Sequence, residues 1–71
     1  MSDSRQDLIA KINSQRSTIR DHVKKYEQFK KDGDYTSSAT TTIGNSQSII
    51  RNLRGKDSSI DSSWEDSWSP N

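Results

Sequence analysis

Seven side chains between Leu8 and Phe29 are spaced alternately four and three residues apart: Leu8, Ile12, Gln15, Ile19, His22, Tyr26 and Phe29. That is the spacing of a heptad seam, and nothing else in the chain constrains the fold as much. A helix keeps such positions on one face, turn after turn. Ile9 and Val23 widen the stripe. The ends are marked too. Ser4 suits the N-cap, with Asp7 three residues on, where the helix dipole favours an acid. Lys30 and Lys31 fall in the last turn, and Gly33 can take the left-handed conformation that closes it. These signals predict a helix over about residues 4–32.

One amphipathic helix cannot bury its own stripe, so a second element of similar length is required. Tyr35, Ala39, Ile43, Ser46, Ile50 and Leu53 repeat the steps of four and three. Asp34 or Thr36 can cap this segment, and Gly55 can end it after Arg51 and Arg54. Two features weaken it. Thr40-Thr41-Thr42 is a β-branched run, and Gly44 costs roughly 1 kcal/mol relative to Ala inside a helix. A turn at Asp32-Gly33-Asp34 would fold the two helices antiparallel. Tyr35 and Ala39 would then meet Phe29 and Tyr26, Ile43 would meet Val23 and Ile19, and Ile50 and Leu53 would meet Ile12 and Leu8. A strand reading of the Thr-rich stretch fails, because no alternating segment is present to pair with it. The expected fold class is all-α. Residues 1–56 form an antiparallel helical hairpin, with helices over about 4–32 and 35–54. Its seam comprises Leu8, Ile12, Ile19, Val23, Tyr26, Phe29, Ile43, Ile50 and Leu53.

The core of such a hairpin is thin. Leu, Ile, Val and Phe together number eleven in 71 residues, below the roughly 20% at which disorder becomes a serious expectation. A net charge of +1 does not force the chain open. A domain this short still needs a partner, a second copy or an additional packed segment.

Residues 57–71 are the place to look for that segment. They carry four acids and no base, whereas residues 1–31 carry eight Lys/Arg against four Asp/Glu. A basic front and an acidic tail attract each other within or between chains. Both tryptophans lie here, and Ile60, Trp64 and Trp68 fall at i, i+4 and i+8, one face of a helix. Two readings follow. The stripe can pack back as a short third helix, or the acidic Ser/Trp tail is otherwise disordered and serves as a docking peptide. In the second reading Ile60, Trp64 and Trp68 anchor in a partner's groove, while Asp61, Glu65 and Asp66 steer the encounter. Trp64-x-x-x-Trp68 resembles the W-x-x-x-F/Y motifs of the peroxisomal import receptor, with Trp where that pattern ends in Phe or Tyr. It is also similar to tryptophan-acidic cargo motifs and acidic-aromatic activation segments. Ser58, Ser62 and Ser63 each precede an acid by three residues, a spacing that resembles the sites of acidophilic kinases, and Ser69-Pro70 resembles a proline-directed site.

Several chemistries find no support. The chain has no Cys and one His, so disulfides, thiolate metal sites and a Cys nucleophile are excluded, and His22 cannot make a zinc site alone. No Gly-rich phosphate loop is present, and Glu27, Asp32 and Asp34 are too scattered for an acid–base pair. The acids after Asp32 do not follow the order of a calcium loop. No enzyme, cofactor or metal is expected. No run approaches a membrane span, and the first residues lack the apolar core of a signal peptide, so the default location is intracellular, cytoplasmic or nuclear.

The expected function is that of a small protein–protein interaction module or regulator, docking through its helical seam and its Trp/acidic C-terminal motif. A second reading is a nucleic-acid-associated accessory protein. It would use the basic side of the first helix (Arg16, Arg20, Lys24, Lys25, Lys30, Lys31), with Arg51, Arg54 and Lys56 as a further cluster. A third is a structural subunit that self-associates into a bundle, its register set by Gln15 and His22 within the seam.

Overall fold

The computed structural model describes residues 4–70. It contains three helices, α1 (Arg5–Asp32), α2 (Ser37–Arg54) and the single-turn α3 (Trp64–Ser67), and no strand among the described residues. The first two pack against each other along their length as an antiparallel hairpin.

The ends of α1 follow from its cap residues. The Ser4 hydroxyl accepts the Asp7 N–H at 3.2 Å, satisfying a donor that has no partner inside the helix. At the other end Gly33 takes φ 78°. Its N–H donates to the Lys30 carbonyl at 3.3 Å, and the Asp34 N–H donates to the Phe29 carbonyl at 2.8 Å. This paired closure needs a left-handed residue at Gly33, where an L side chain would be strained.

α2 starts later than the spacing suggests. Thr36 occupies the N-cap without a side-chain hydrogen bond. Tyr35 therefore stands outside the helix and is 93% exposed instead of meeting Phe29 and Tyr26. The β-branched run is accommodated by back-bonding: Thr40 Oγ1 donates to the Ser37 carbonyl at 3.0 Å and Thr42 Oγ1 to the Ser38 carbonyl at 3.1 Å. Gly55 does not end the helix in a left-handed turn, since its φ is −63°. The chain instead winds on through tight turns, Lys56 N–H to the Leu53 carbonyl at 3.1 Å and Asp57 N–H to the Arg54 carbonyl at 3.2 Å.

These turns carry the last segment back along the hairpin. The Asp57 carboxylate accepts the Ser59 N–H at 3.0 Å and its hydroxyl at 2.6 Å, a local bend that short Asp and Asn side chains favour. Ile60 follows directly and is buried. The core is then a single cluster of Leu8, Ile12, Ile19, Val23, Ile43, Ile50, Leu53 and Ile60, with Ile9 and Trp68 packed against it. Tyr26 and Ala39 are buried as well, and Phe29 is half-buried. Eight of the nine expected seam residues are buried, Phe29 is half-buried at the edge, and Ile60 and Trp68 from the tail add to the thin hairpin core.

Candidate functional site

The segment from Asp57 to Trp68 forms an arm that lies on the hairpin. Its partners set its direction. Asp57 meets Arg5, Asp66 meets Arg16, Glu65 meets Arg20, and the Trp68 ring meets Tyr26. The arm therefore runs alongside α1 in the same sense, from its first turn towards its last third. Gln47 of α2 completes the contact: its amide donates to the Glu65 carbonyl at 3.0 Å and the Trp68 carbonyl at 2.7 Å. One side chain thereby satisfies two backbone acceptors of the arm.

Arg16 is the centre of the attachment. Its Nε donates to Asp66 Oδ1 at 2.9 Å and its Nη2 to Asp66 Oδ2 at 2.7 Å, a bidentate fork. The same Nη2 also donates to the Asp61 carbonyl at 2.9 Å. Arg54 approaches Asp66 Oδ2 from α2 at 3.8 Å, and its Nε donates to the Ile60 carbonyl at 3.4 Å. Arg20 donates to Glu65 Oε2 at 2.9 Å. Four of the chain's five arginines thus contact the arm, and three of them, Arg16, Arg20 and Arg54, do so at its less exposed carboxylates. Arg suits this position because its planar fork grips a carboxylate and a carbonyl together, which a lysine ammonium does not.

These carboxylates are not on the surface. Glu65 is 3% exposed. Burial alone would raise the affinity of both acids for a proton. For Glu65 that effect is outweighed by hydrogen bonds from Ser63 and Arg20, and for Asp66 by those from Arg16 and the Ser63 backbone, so both ionise below the ordinary carboxylate range. The Arg16 guanidinium is held protonated still more firmly than usual, through its hydrogen bonds to Asp66.

α3 exists because of its cap. Ser63 and Asp66 face each other as a capping box: the Asp66 N–H donates to the Ser63 carbonyl at 3.0 Å, and the Ser63 N–H donates to Asp66 Oδ2 at 3.2 Å. The Ser63 hydroxyl also donates to Glu65 Oε1. Trp68, at φ −57° and ψ 140°, has already left the helix. The three apolar residues of the tail therefore do not share a helical face. Ile60 precedes the helix and is buried. Trp68 follows it and packs edge-on to Tyr26, ring centroids 5.1 Å apart at 80°. Trp64, at the first helical position, is 52% exposed.

The six tail residues proposed as anchors and steering charges consequently divide. Ile60, Glu65, Asp66 and Trp68 turn towards the hairpin, while Trp64 and the Asp61 side chain remain outside. Gln47 and the receiving arginines are parts of the site that periodicity does not reveal. The Ser63-x-x-Asp66 spacing is the one local signal that reports α3, as a capping box.

On roughly the opposite side of α1 from Arg16 and Arg20, a shallow groove of about 240 Å³ is lined by His22, Lys25, Phe29, Ser38, Ala39 and Thr42. His22 Nδ1 lies 2.9 Å from the Thr18 carbonyl, so the ring is occupied within its own helix. Gln15 is half-buried at the margin of the stripe. Among the described residues no cluster of His, Cys, Asp or Glu could hold a metal ion, and no helix is long and apolar enough to cross a membrane. No protein family, curated protein or solved structure matches the chain.

Proposed function

We propose that this chain is a small non-enzymatic protein-binding module that uses its docked arm to display Trp64 as the anchor for a protein partner. The observation that carries this reading is the contrast between two adjacent residues: Trp64 is 52% exposed and Glu65 is 3% exposed. The turn is pinned from behind by charged groups, and its one large apolar side chain is kept in water. Indoles are over-represented among the few residues that dominate binding energy, because they bury a large rigid surface at small entropic cost. Asp61, on the same exposed stretch, would bias the encounter towards a basic partner surface. Ile60, Glu65, Asp66 and Trp68 serve the display by holding the arm, and the seam residues of α1 serve it by supplying the platform.

The test is quantitative affinity capture from source-cell extract with three baits: the unaltered chain, Trp64→Ala and Ile49→Ala. Ile49 is a second exposed apolar residue and lies on α2. A protein retained by the unaltered chain and by Ile49→Ala, but lost with Trp64→Ala at unchanged circular dichroism, is the expected result. Equal recovery by all three baits would overturn the proposal.

A further inference from the structure

We infer that Ser63 is a modification site, and that phosphorylation of its hydroxyl by an acid-directed protein kinase releases the arm from the hairpin. The Ser63 hydroxyl is placed where the docked arm depends on it. It sits opposite Asp66 in the capping box at the start of α3, and it donates to the Glu65 carboxylate. In the transfer the Ser63 Oγ attacks the γ-phosphorus of a nucleoside triphosphate. The Oγ–P bond forms as the bond to the bridging oxygen breaks, the nucleoside diphosphate leaves, and the hydroxyl proton passes to the kinase's base. The product has no proton to donate to Glu65. It places a charge of about −1.5 to −2 beside that carboxylate and close to Asp66.

The direction of the effect depends on the arginines. A phosphate at a helix N-cap beside guanidinium groups is usually stabilising. Here α3 is a single turn, so the helix offers little field. The neighbouring guanidiniums are also committed: Arg20 to Glu65 at 2.9 Å, and Arg16 to Asp66 at 2.7 and 2.9 Å. Arg20 holds Glu65 through Nη1 alone, so a phosphate can share it, but one guanidinium then faces a buried carboxylate and a charge of about −1.5 to −2 together. The cheaper response is for the arm to leave, which returns Glu65, Asp66 and the phosphate to water together.

Access is consistent with such a switch. Ser63 is half-buried in the docked arm, and a kinase reads an extended peptide, so modification captures the open state and prevents it from closing. The recognition element is in place, with Glu65 two residues and Asp66 three residues beyond the acceptor. Ser58 has an acid at the same spacing but is exposed, and a phosphate there leaves the capping box intact.

The test uses the full chain with phosphoserine encoded at position 63, read by amide hydrogen exchange over residues 60–68. Ser63→Ala, which loses the same hydrogen bond without adding charge, is the reference. Phosphoserine at position 58 is the control for charge alone. The inference expects exchange in the phospho-Ser63 arm to exceed that of Ser63→Ala by at least about tenfold, with loss of the Trp68–Tyr26 nuclear Overhauser contacts, and phospho-Ser58 to stay within about twofold of the unmodified chain. Melting of the hairpin with the arm counts the same way, provided Ser63→Ala stays folded. A phospho-Ser63 arm that exchanges no faster than this margin above Ser63→Ala overturns the inference. The consequence for partner capture rests on the Trp64 reading. Arm release with unchanged capture would remove that reading and leave the switch, whereas capture lost in Trp64→Ala without release by phospho-Ser63 would do the reverse.

Discussion

Replacing Arg16 with Ala should loosen the arm while leaving α1 and α2 helical. Arg16 supplies three hydrogen bonds to the arm, at 2.9, 2.7 and 2.9 Å. Its side chain is 14% exposed and that of Asp66 is 9% exposed. Breaking a buried ion pair from one side costs about 3–5 kcal/mol, because the remaining charge is stranded. Two features reduce this. Arg54 stays 3.8 Å from Asp66 Oδ2, and a displaced arm can reach water quickly. The expected loss is about 2–3 kcal/mol in arm docking, or about 30- to 150-fold in its opening equilibrium. Hydrogen exchange over residues 60–68, with Trp68 emission as a second probe, measures it. A double-mutant cycle with Asp66→Asn should return a coupling of about 2 kcal/mol. The pair of Arg5 with Asp57, 3.6 Å apart and open to solvent, is the internal control: Arg5→Ala should leave arm exchange unchanged. A change below about twofold for Arg16→Ala, or a coupling near zero, would refute the reasoning that the arm is held by buried charge.

Other consequences are measurable in the same preparations. Glu65 and Asp66 have lowered proton affinity in the folded chain, so their stabilisation is complete above the unfolded carboxylate range and is lost as pH falls through their depressed values. Trp68 emission should report arm release below about pH 4; release that set in on raising the pH from about 5 to 7 would contradict this. Trp68→Ala should destabilise the protein by about 2 kcal/mol, less than a fully buried Trp would because the ring is only partly buried, whereas Trp64→Ala should change urea stability by under about 0.5 kcal/mol. Gly44→Ala should raise the melting temperature, by a stabilisation of about 0.5–1 kcal/mol, because a Cβ there meets nothing within 4 Å. Gly33→Ala should lower it, through a destabilisation of about 1–2 kcal/mol, since φ 78° is the left-handed region.

The hairpin was legible because its signals are local and periodic. The seam from Leu8 to Leu53, the Ser4 cap and the Gly33 closure each depend on spacing or on one residue's conformational freedom. The arm was less legible because its geometry depends on irregular backbone. Ile60, Trp64 and Trp68 have helical spacing, but the tight turns after Arg54 and the extended conformation at Trp68 remove two of the three from any shared face. Tyr35 was misplaced for a similar reason: Thr36, not Asp34, occupies the N-cap, and the helix starts beyond the tyrosine. The opposite charges of front and tail did indicate an attraction, but net charge cannot say which arginine meets which acid. Gln47 could not be found at all by pattern, because a polar side chain that satisfies two carbonyls looks, in sequence, like any solvated residue.

The arm's attachment is the claim on which the rest stands, and the indoles report it most directly. Heteronuclear Overhauser measurements on isotope-labelled protein resolve Trp64 and Trp68 separately from the backbone. A rigid Trp68 indole with cross-peaks to Tyr26, beside a rigid α3 backbone and a water-exposed Trp64 ring, is what the structure predicts. Mobile indoles at both positions next to a rigid hairpin would contradict it.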